Sequence, residues 1–174
     1  GGQSDHFLEQ SAGEITASFC KEPLDPRALD LVNKTNQFNL NGKHLVEGAW
    51  RQRLDQPESF LMLVAYQDKY GPLGKIAVLS GSQQGTTLNL DTWVMSCRAF
   101  SRRIEHKCLD LLFDKFSVEE ILFDYQITPK NSPLQEFFTQ FGSDSGNEKF
   151  RLSKQLFYER CPPLFHQLKE PVVV

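Results

Sequence analysis

The sequence predicts one α+β domain, a mixed but mostly antiparallel sheet with helices layered on its faces. Three observations lead there. An unbroken apolar stretch, Phe60-Leu61-Met62-Leu63-Val64-Ala65-Tyr66, has strand length and opens a run of three strands joined by tight turns. Ile104, Cys108, Leu111, Leu112 and Phe116 then fall at helical spacing. With 174 residues and 40% apolar composition, the chain can bury one proper core and is short for two.

Taken in order, residues 1–13 are polar, lack periodicity and read as a loose lead-in. The opening Gly1-Gly2, in place of Met, reads as a tag remnant, with more of the natural protein expected upstream. Residues 15–20 suit a short strand, ended by Lys21-Glu22-Pro23. Asp25-Pro26 is an N-cap followed by proline at the first helical position. Leu29, Val32 and Asn36 then share one side of a short helix, and residues 45–54 make a second that stops before Gln56-Pro57.

The apolar strand of residues 60–66 reads as buried on both faces. After the turn at 70–74, residues 75–82 form the next strand, and Gln83-Gln84-Gly85 leads into a third over 86–97. Alternation puts Leu88, Leu90, Thr92, Val94 and Ser96 on one face of it, and Asn89, Asp91, Trp93, Met95 and Cys97 on the other. The amphipathic helix spans 101–116, with a strand over 120–127 behind it. Residues 133–141 form a helix halted by Gly142. A Ser/Gly/Asp-rich loop over 143–148 precedes a last strand over 150–158. The domain therefore runs over 14–168, with 169–174 a tail ending in three valines, and no repeat or linker divides it.

Nineteen basic residues against 22 acidic ones leave a net charge of −3. This balance argues against disorder and against a dedicated nucleic-acid binder. No apolar run approaches the ~20 residues of a membrane helix, and no signal-peptide h-region is visible, so no membrane role is expected. Cys20, Cys97, Cys108 and Cys161 form no CxxC pair and no zinc-like spacing with histidine. Neither a metal site nor a disulfide framework is indicated, and free thiols fit a reducing cytoplasm.

Four stretches carry more specific information: Lys34-Thr35-Asn36-Gln37-Phe38-Asn39-Leu40; Tyr70-Gly71 with Gly74; Leu90-Asp91-Thr92-Trp93-Val94-Met95-Ser96-Cys97-Arg98; and Thr128-Pro129-Lys130-Asn131-Ser132-Pro133 with Phe141-Gly142. The element order resembles the GNAT acyltransferase fold, in which a strand runs into a helix whose N-terminus holds a phosphopantetheine-bearing thioester. The four stretches resemble the C-terminal domain of FkbH-like proteins, over about residues 15–157. That resemblance implies transfer of a glyceryl unit, derived from 1,3-bisphosphoglycerate, to the phosphopantetheine thiol of an acyl carrier protein in polyketide-type biosynthesis. It also implies an upstream HAD phosphatase-like domain, the place where Mg would be used, whose aspartate-rich motif is absent from this sequence. No tightly bound cofactor is expected, only carrier phosphopantetheine or coenzyme A as acyl acceptor.

Cys97 is the candidate nucleophile, because a thioester-forming thiolate should be accessible and near positive potential. Arg98, Ser101, Arg102 and Arg103 follow it and are the candidate grip on a phosphopantetheine phosphate and an acidic carrier. GNAT enzymes cradle the pyrophosphate of coenzyme A at this helix start with a glycine-rich turn, and here Ser101 and Arg103 stand in that stretch. The plainer readings are a core cysteine and a solvated first turn. Asn36, Gln37 and Asn39 form an amide cluster that could hydrogen-bond glyceryl hydroxyls or cap a helix. Asp91 shares a face with Cys97 and is a candidate for orienting a base, with Thr92 as a substrate contact; pairing with a lysine is the alternative. Asn131 either caps the following helix or lines the site. Cys108 reads as core, and His106 as solvated.

Three functions compete on these residues. One is glyceryl transfer to a carrier, possible through Cys97. Another is ordinary acetyl-coenzyme A-dependent acetylation of an amine, against which the missing glycine turn speaks. The last is a non-catalytic platform that recruits the carrier for an upstream phosphatase domain.

Overall fold

The computed structural model describes residues 2–143 and 149–170. Its first element corrects an expectation: the polar lead-in is a helix, α1 (Gly2–Ser11), closed by Ala12 at φ 53° and by the Ser11 hydroxyl donating to the Phe7 carbonyl at 2.7 Å. β1 (Glu14–Ser18) follows. Asp25 caps α2 (Pro26–Lys34) as expected, its carboxylate accepting from the Arg27 amide at 2.9 Å. The buried side of α2 is Ala28, Leu31 and Val32; Asn36 lies beyond it, because Thr35 is already extended and ends the helix. A two-residue strand, β2 (Phe38–Asn39), comes next, and then α3 (Glu47–Leu54).

β3 (Ser59–Asp68), β4 (Gly71–Gln84) and β5 (Thr87–Met95) form the expected antiparallel meander. β3 is covered on both faces: Phe60, Met62, Val64 and Tyr66 join one core, Leu61 and Leu63 the other. β5 departs from simple alternation. Ser80 pairs with Thr92 but Gly81 with Leu90, so Asp91 is an extra, bulged residue. Leu88 and Leu90 therefore share a face with Trp93 and Met95, while Val94 packs in the opposite core. At the bulge the strands approach closely: a Cβ on Gly81 would lie 1.8 Å from the Asn89 carbonyl oxygen.

A single 3-10 turn (Cys97–Ala99) leads to α4 (Ile104–Phe116). The helix starts three residues later than its sequence pattern because Ser101 and Arg103 adopt left-handed φ angles of 67° and 56°. Its predicted stripe of Ile104, Cys108, Leu111 and Leu112 is buried. His106 is also buried, against the expectation of a solvated ring, and packs on Phe137 and Phe141. β6 (Glu120–Phe123) is half the expected length, and α5 (Ser132–Thr139) follows. The last predicted strand divides into β7 (Phe150–Ser153) and α6 (Lys154–Arg160), because the Ser153 hydroxyl accepts from the Leu156 amide and caps a helix. β8 (Gln167–Lys169) is the last described element, and the three terminal valines and most of the 143–148 loop lie outside the described residues.

The sheet runs β7-β6-β5-β4-β3-β1-β8, with β2 paired to β5 off this path. Among the described residues, only the β5–β6 and β1–β8 pairs are parallel. α2 and α3 cover one face through Ala28, Leu31, Val32, Trp50 and Leu54. α4 and α5 cover the other, with Ile104, Cys108, Leu112, Phe137 and Phe138 in the larger core. Both edge strands are short, which limits pairing with other chains.

Candidate active site

Three features meet at the end of β5: an opening in the sheet, an exposed cysteine and the start of α4. The opening follows from the bulge. β5 and β6 pair in parallel only from Thr87 opposite Glu120 to Leu90 opposite Phe123. Beyond that, neighbouring backbone groups of the two segments need other partners, since a buried unpaired amide or carbonyl costs about 1–3 kcal/mol. Residues 38–41 supply them. Phe38 and Asn39 pair with Met95 and Val94, the Leu40 amide donates to the Trp93 carbonyl at 2.9 Å, and the Gln126 amide donates to the Leu40 carbonyl at 3.1 Å. The Asn41 side-chain amide then donates to the carbonyls of Asp91 and Asp124, each at 2.9 Å.

Two further asparagines lock this segment. Asn39 is buried; its amide donates to the Thr35 carbonyl at 2.8 Å, and its oxygen accepts from the Asn41 and Gly42 amides. Asn131 is wholly buried and donates to the carbonyls of Asn39 and Gln126, both at 2.9 Å, while its oxygen accepts from the Thr128 amide and the Gln135 side chain. Asn131 stands at the N-cap position of α5, but its side chain makes no cap bond there. Both asparagines thus hold backbone in place, leaving no free amide for a ligand.

Asn36 and Gln37, by contrast, are exposed. With Lys34, Thr35, Met95, Ser96 and Cys97 they line a cleft of about 260 Å³. Cys97 is exposed at the first residue of the 3-10 turn, and Ser96 caps that turn by accepting from the Arg98 amide at 3.4 Å. The predicted thiol and two of the three predicted amides therefore share one surface. Cys108 is fully buried, and burial pushes its thiol well above the usual range. Cys161 is half-buried, and burial pushes it up to about 11.

Asp91 does not join Cys97. The bulge turns it into a separate polar cleft of about 310 Å³ with Asn89, Asp124 and Lys149. Burial raises its carboxyl above the ordinary range; Arg53 opposes the shift and Asp124 adds to it. The bulge leaves Thr92 on the same side of the sheet as Asp91, where it is buried and accepts from the Arg53 guanidinium at 3.1 Å.

The predicted arginine patch is divided as well. Arg98 is exposed, its Nε donating to the Ser96 hydroxyl at 3.3 Å. Arg102 donates to the carbonyls of Arg98 and Phe100, lies 3.5 Å from the Asp68 carboxylate and stacks over Tyr66. Arg103 is bound to the Asp5 carboxylate at 2.7 Å and donates to the Pro163 carbonyl at 2.7 Å, tying α1 and the C-terminal segment to the start of α4. Ser101 is exposed. Beside it a cleft of about 800 Å³ opens between α1, α4 and α5, walled by Phe7, Phe38, Phe100 and Phe137, with Glu105 and Glu136 in its lining. His106 lies there too, its Nε2 2.9 Å from the Gln140 side-chain oxygen and its Nδ1 3.6 Å from Glu105. Asp5 and Asn41 are site neighbours the sequence pattern did not single out. An asparagine reaching across 83 residues, as Asn41 does to Asp124, leaves no local signal.

No protein-family model matches the sequence, and no curated protein matches it at the sequence level. Solved structures do match the fold. Spermidine N-acetyltransferase from Vibrio cholerae, in complex with coenzyme A and spermine, superposes with a TM-score of 0.54 at 10% identity, over 83% of this chain and 98% of that one. An aminoglycoside acetyltransferase in complex with coenzyme A gives 0.54 at 13% identity, over 84% and 98%. The ribosomal-protein-S18-alanine N-acetyltransferase from Escherichia coli gives 0.51 at 11%, over 80% and 93%. The fold is that of the GNAT acetyltransferases.

A GNAT fold implies coenzyme A, and the residues here do not fit it. The left-handed positions before α4 carry Ser101 and Arg103, so side chains stand where a backbone cradle would need glycines. The Arg103 guanidinium is committed to Asp5 and Pro163, and two carboxylates, Glu105 and Glu136, line the adjoining cleft. The sheet opening, whose free backbone groups would pair with the two amides of a pantetheine arm, is filled by residues 38–41. Among the described residues, no helix is long and apolar enough to cross a membrane, and no group of His, Cys, Asp or Glu has the arrangement of a metal site.

Proposed function

We propose that this domain transfers a small polar acyl unit, a glyceryl group, to the phosphopantetheine thiol of an acyl carrier protein through a thioester on Cys97. One observation carries the reading: the exposed Cys97 thiol opens on a cleft shared with the side-chain amides of Asn36 and Gln37 and with Lys34. In this scheme the Cys97 thiolate adds to the carbonyl carbon of a glyceryl acyl phosphate. A C–S bond forms, the C–O bond to phosphate breaks, and phosphate leaves with the electron pair. The carrier's thiolate then adds to the same carbon and Cys97 departs as thiolate, so nothing is oxidised or reduced. Asn36 and Gln37 offer amide donors and acceptors to the glyceryl hydroxyls, and Lys34 and the exposed Arg98 offer charge to an acidic carrier. An upstream phosphatase-like domain would prepare the donor, and a cytoplasmic setting keeps the thiol reduced. Acetylation of an amine from acetyl-coenzyme A, which the fold also accommodates, is disfavoured by the filled sheet opening.

The test uses the full-length enzyme, its carrier protein and 1,3-bisphosphoglycerate, with the carrier followed by intact-protein mass spectrometry. Wild-type enzyme should load the carrier, and Cys97→Ser, which keeps size but is a poor thioester former, should load none while retaining its circular dichroism spectrum. Loading by the Ser variant at the wild-type rate would overturn the reading and leave a carrier-docking platform.

A further inference from the structure

We propose that residues 38–41 are a built-in occupant of the opening between β5 and the chain after β6, that they exclude coenzyme A, and that an acyl group therefore reaches Cys97 from outside, across the Lys34–Gln37 cleft. The exclusion stands on backbone chemistry alone. The route to Cys97 rests additionally on the acyl-transfer reading given above.

An extended arm bearing two amides binds between diverging strands by taking their unpaired N–H and C=O groups, as an added strand does. Here those groups are already spent on residues 38–41. Phe38 and Asn39 are paired to Met95 and Val94, the Trp93 carbonyl receives the Leu40 amide, and the Leu40 carbonyl receives the Gln126 amide. Displacing the segment would also unpair the buried amides of Asn39 and Asn131, which bond only backbone and side chains of this region. Sterics agree with the pairing. Phe38 is buried edge-to-face on Trp93 with ring centroids 5.0 Å apart, and it also meets Phe100 and Phe137, so its ring closes the inner wall of the large α4–α5 cleft. An arm lying in that cleft cannot continue into the sheet. The Cys97 cleft shares no lining residue with the α4–α5 cleft, and Cys97, Asn36 and Gln37 are exposed on its surface. Approach from solvent is the access the thiol has. It suits a small acyl phosphate, or an arm carried by a protein that stays outside, and it makes Phe38 and Asn41 specificity-determining positions.

The experiment is a calorimetric titration of the intact chain with coenzyme A and with acetyl-coenzyme A, alongside amide hydrogen exchange at Leu40 and Gln126. The expected result is no saturable binding up to about 1 mM, with both amides equally protected in the presence and absence of nucleotide. Saturable binding of either compound overturns the exclusion, whether or not the Leu40 amide is deprotected. Asn41→Ala should raise Leu40 exchange at least tenfold by removing the clamp; unchanged exchange would show that Asn41 does not hold the segment. Should that variant fail to fold, the wild-type titration still decides. Acylation of Cys97 by acetyl phosphate, read by intact mass, addresses the other premise separately. Its absence would remove the acyl-transfer reading and leave the exclusion untouched, and its presence together with tight coenzyme A binding would do the reverse.

Discussion

Cys97 and Cys108 lie eleven positions apart in sequence and are opposites in chemistry. Cys97 is solvent-exposed at a turn, whereas Cys108 sits at 0% exposure in the main core with its thiol pushed up by burial. Iodoacetamide at neutral pH should therefore modify Cys97 in the native protein and Cys108 only through unfolding, which peptide mapping against time would resolve; equal rates would contradict the packing of α4. The amides divide in the same way. Asn131→Ala removes a buried side chain that satisfies two carbonyls, and about 2–3 kcal/mol of stability should go with it in urea unfolding. Asn36→Ala, at an exposed position, should change stability by no more than about 0.5 kcal/mol and show its effect only in acyl loading. The sequence marked Cys97, Asn36 and Gln37 through the stretches that carry the family resemblance, and the fold lines one cleft with all three. The sequence could not separate Asn36 from Asn39, because what distinguishes them is Thr35 leaving the helix and a strand pairing with residues more than fifty positions away.

For whole elements, periodicity was informative wherever it was unbroken. The stripe of α4 and the doubly buried β3 are both as their spacing predicts, since each follows one period throughout. β5 is where the reading failed. A single extra residue at Asp91 reverses the facing of everything after it, and a bulge has no side-chain signature other than the glycine across from it. Gly81 is that glycine. With a Cβ placed 1.8 Å from the Asn89 carbonyl, Gly81→Ala must push the strands apart, and a loss of roughly 2–4 kcal/mol is expected by chemical denaturation. A neutral outcome would mean that the bulge is not held in this register. α1 escaped notice for a related reason: its ten residues carry little apolar patterning, and much of what fixes it lies elsewhere, in the Asp5–Arg103 ion pair and the stacking of Phe7 on Tyr70.

Over the molecule as a whole, the C-terminal segment is fastened to the start of α4 by Arg103 and by His166, whose Nε2 lies 2.7 Å from the Arg102 carbonyl. That nitrogen must carry the proton and donate, leaving Nδ1 buried without a partner. Burial lowers the pKa of His166; the bond to Arg102 opposes this, Lys107 and His106 reinforce it, and Glu105 works against it. The unfolded chain therefore takes up a proton near pH 6.5 that the folded chain accepts only at lower pH. Stability should be level above about pH 6.5 and fall as the pH drops through that value. Urea midpoints at pH 7.5 and 5.5 should differ for the wild type and differ less for His166→Gln. Asp25 and Glu120, whose carboxyls are held low, act at more acidic pH. At Asp25 burial works to raise the carboxyl, and the bond to Lys75, the Arg27 amide and the Lys75 charge together overcome it; at Glu120 pairing with Arg151 dominates.

The parallel pairing of β8 on β1 also has a consequence for synthesis. β1 is made roughly 150 residues ahead of the strand that covers its outer edge, Gln167–Lys169 against Glu14–Thr16. At roughly 5–20 residues per second, that edge waits on the order of 7 to 30 s for its neighbour. During translation it is an open row of backbone donors and acceptors, available to any other extended chain. A nascent chain stalled before residue 167 should therefore associate with others or recruit chaperones, whereas one extended past residue 169 closes the edge with β8.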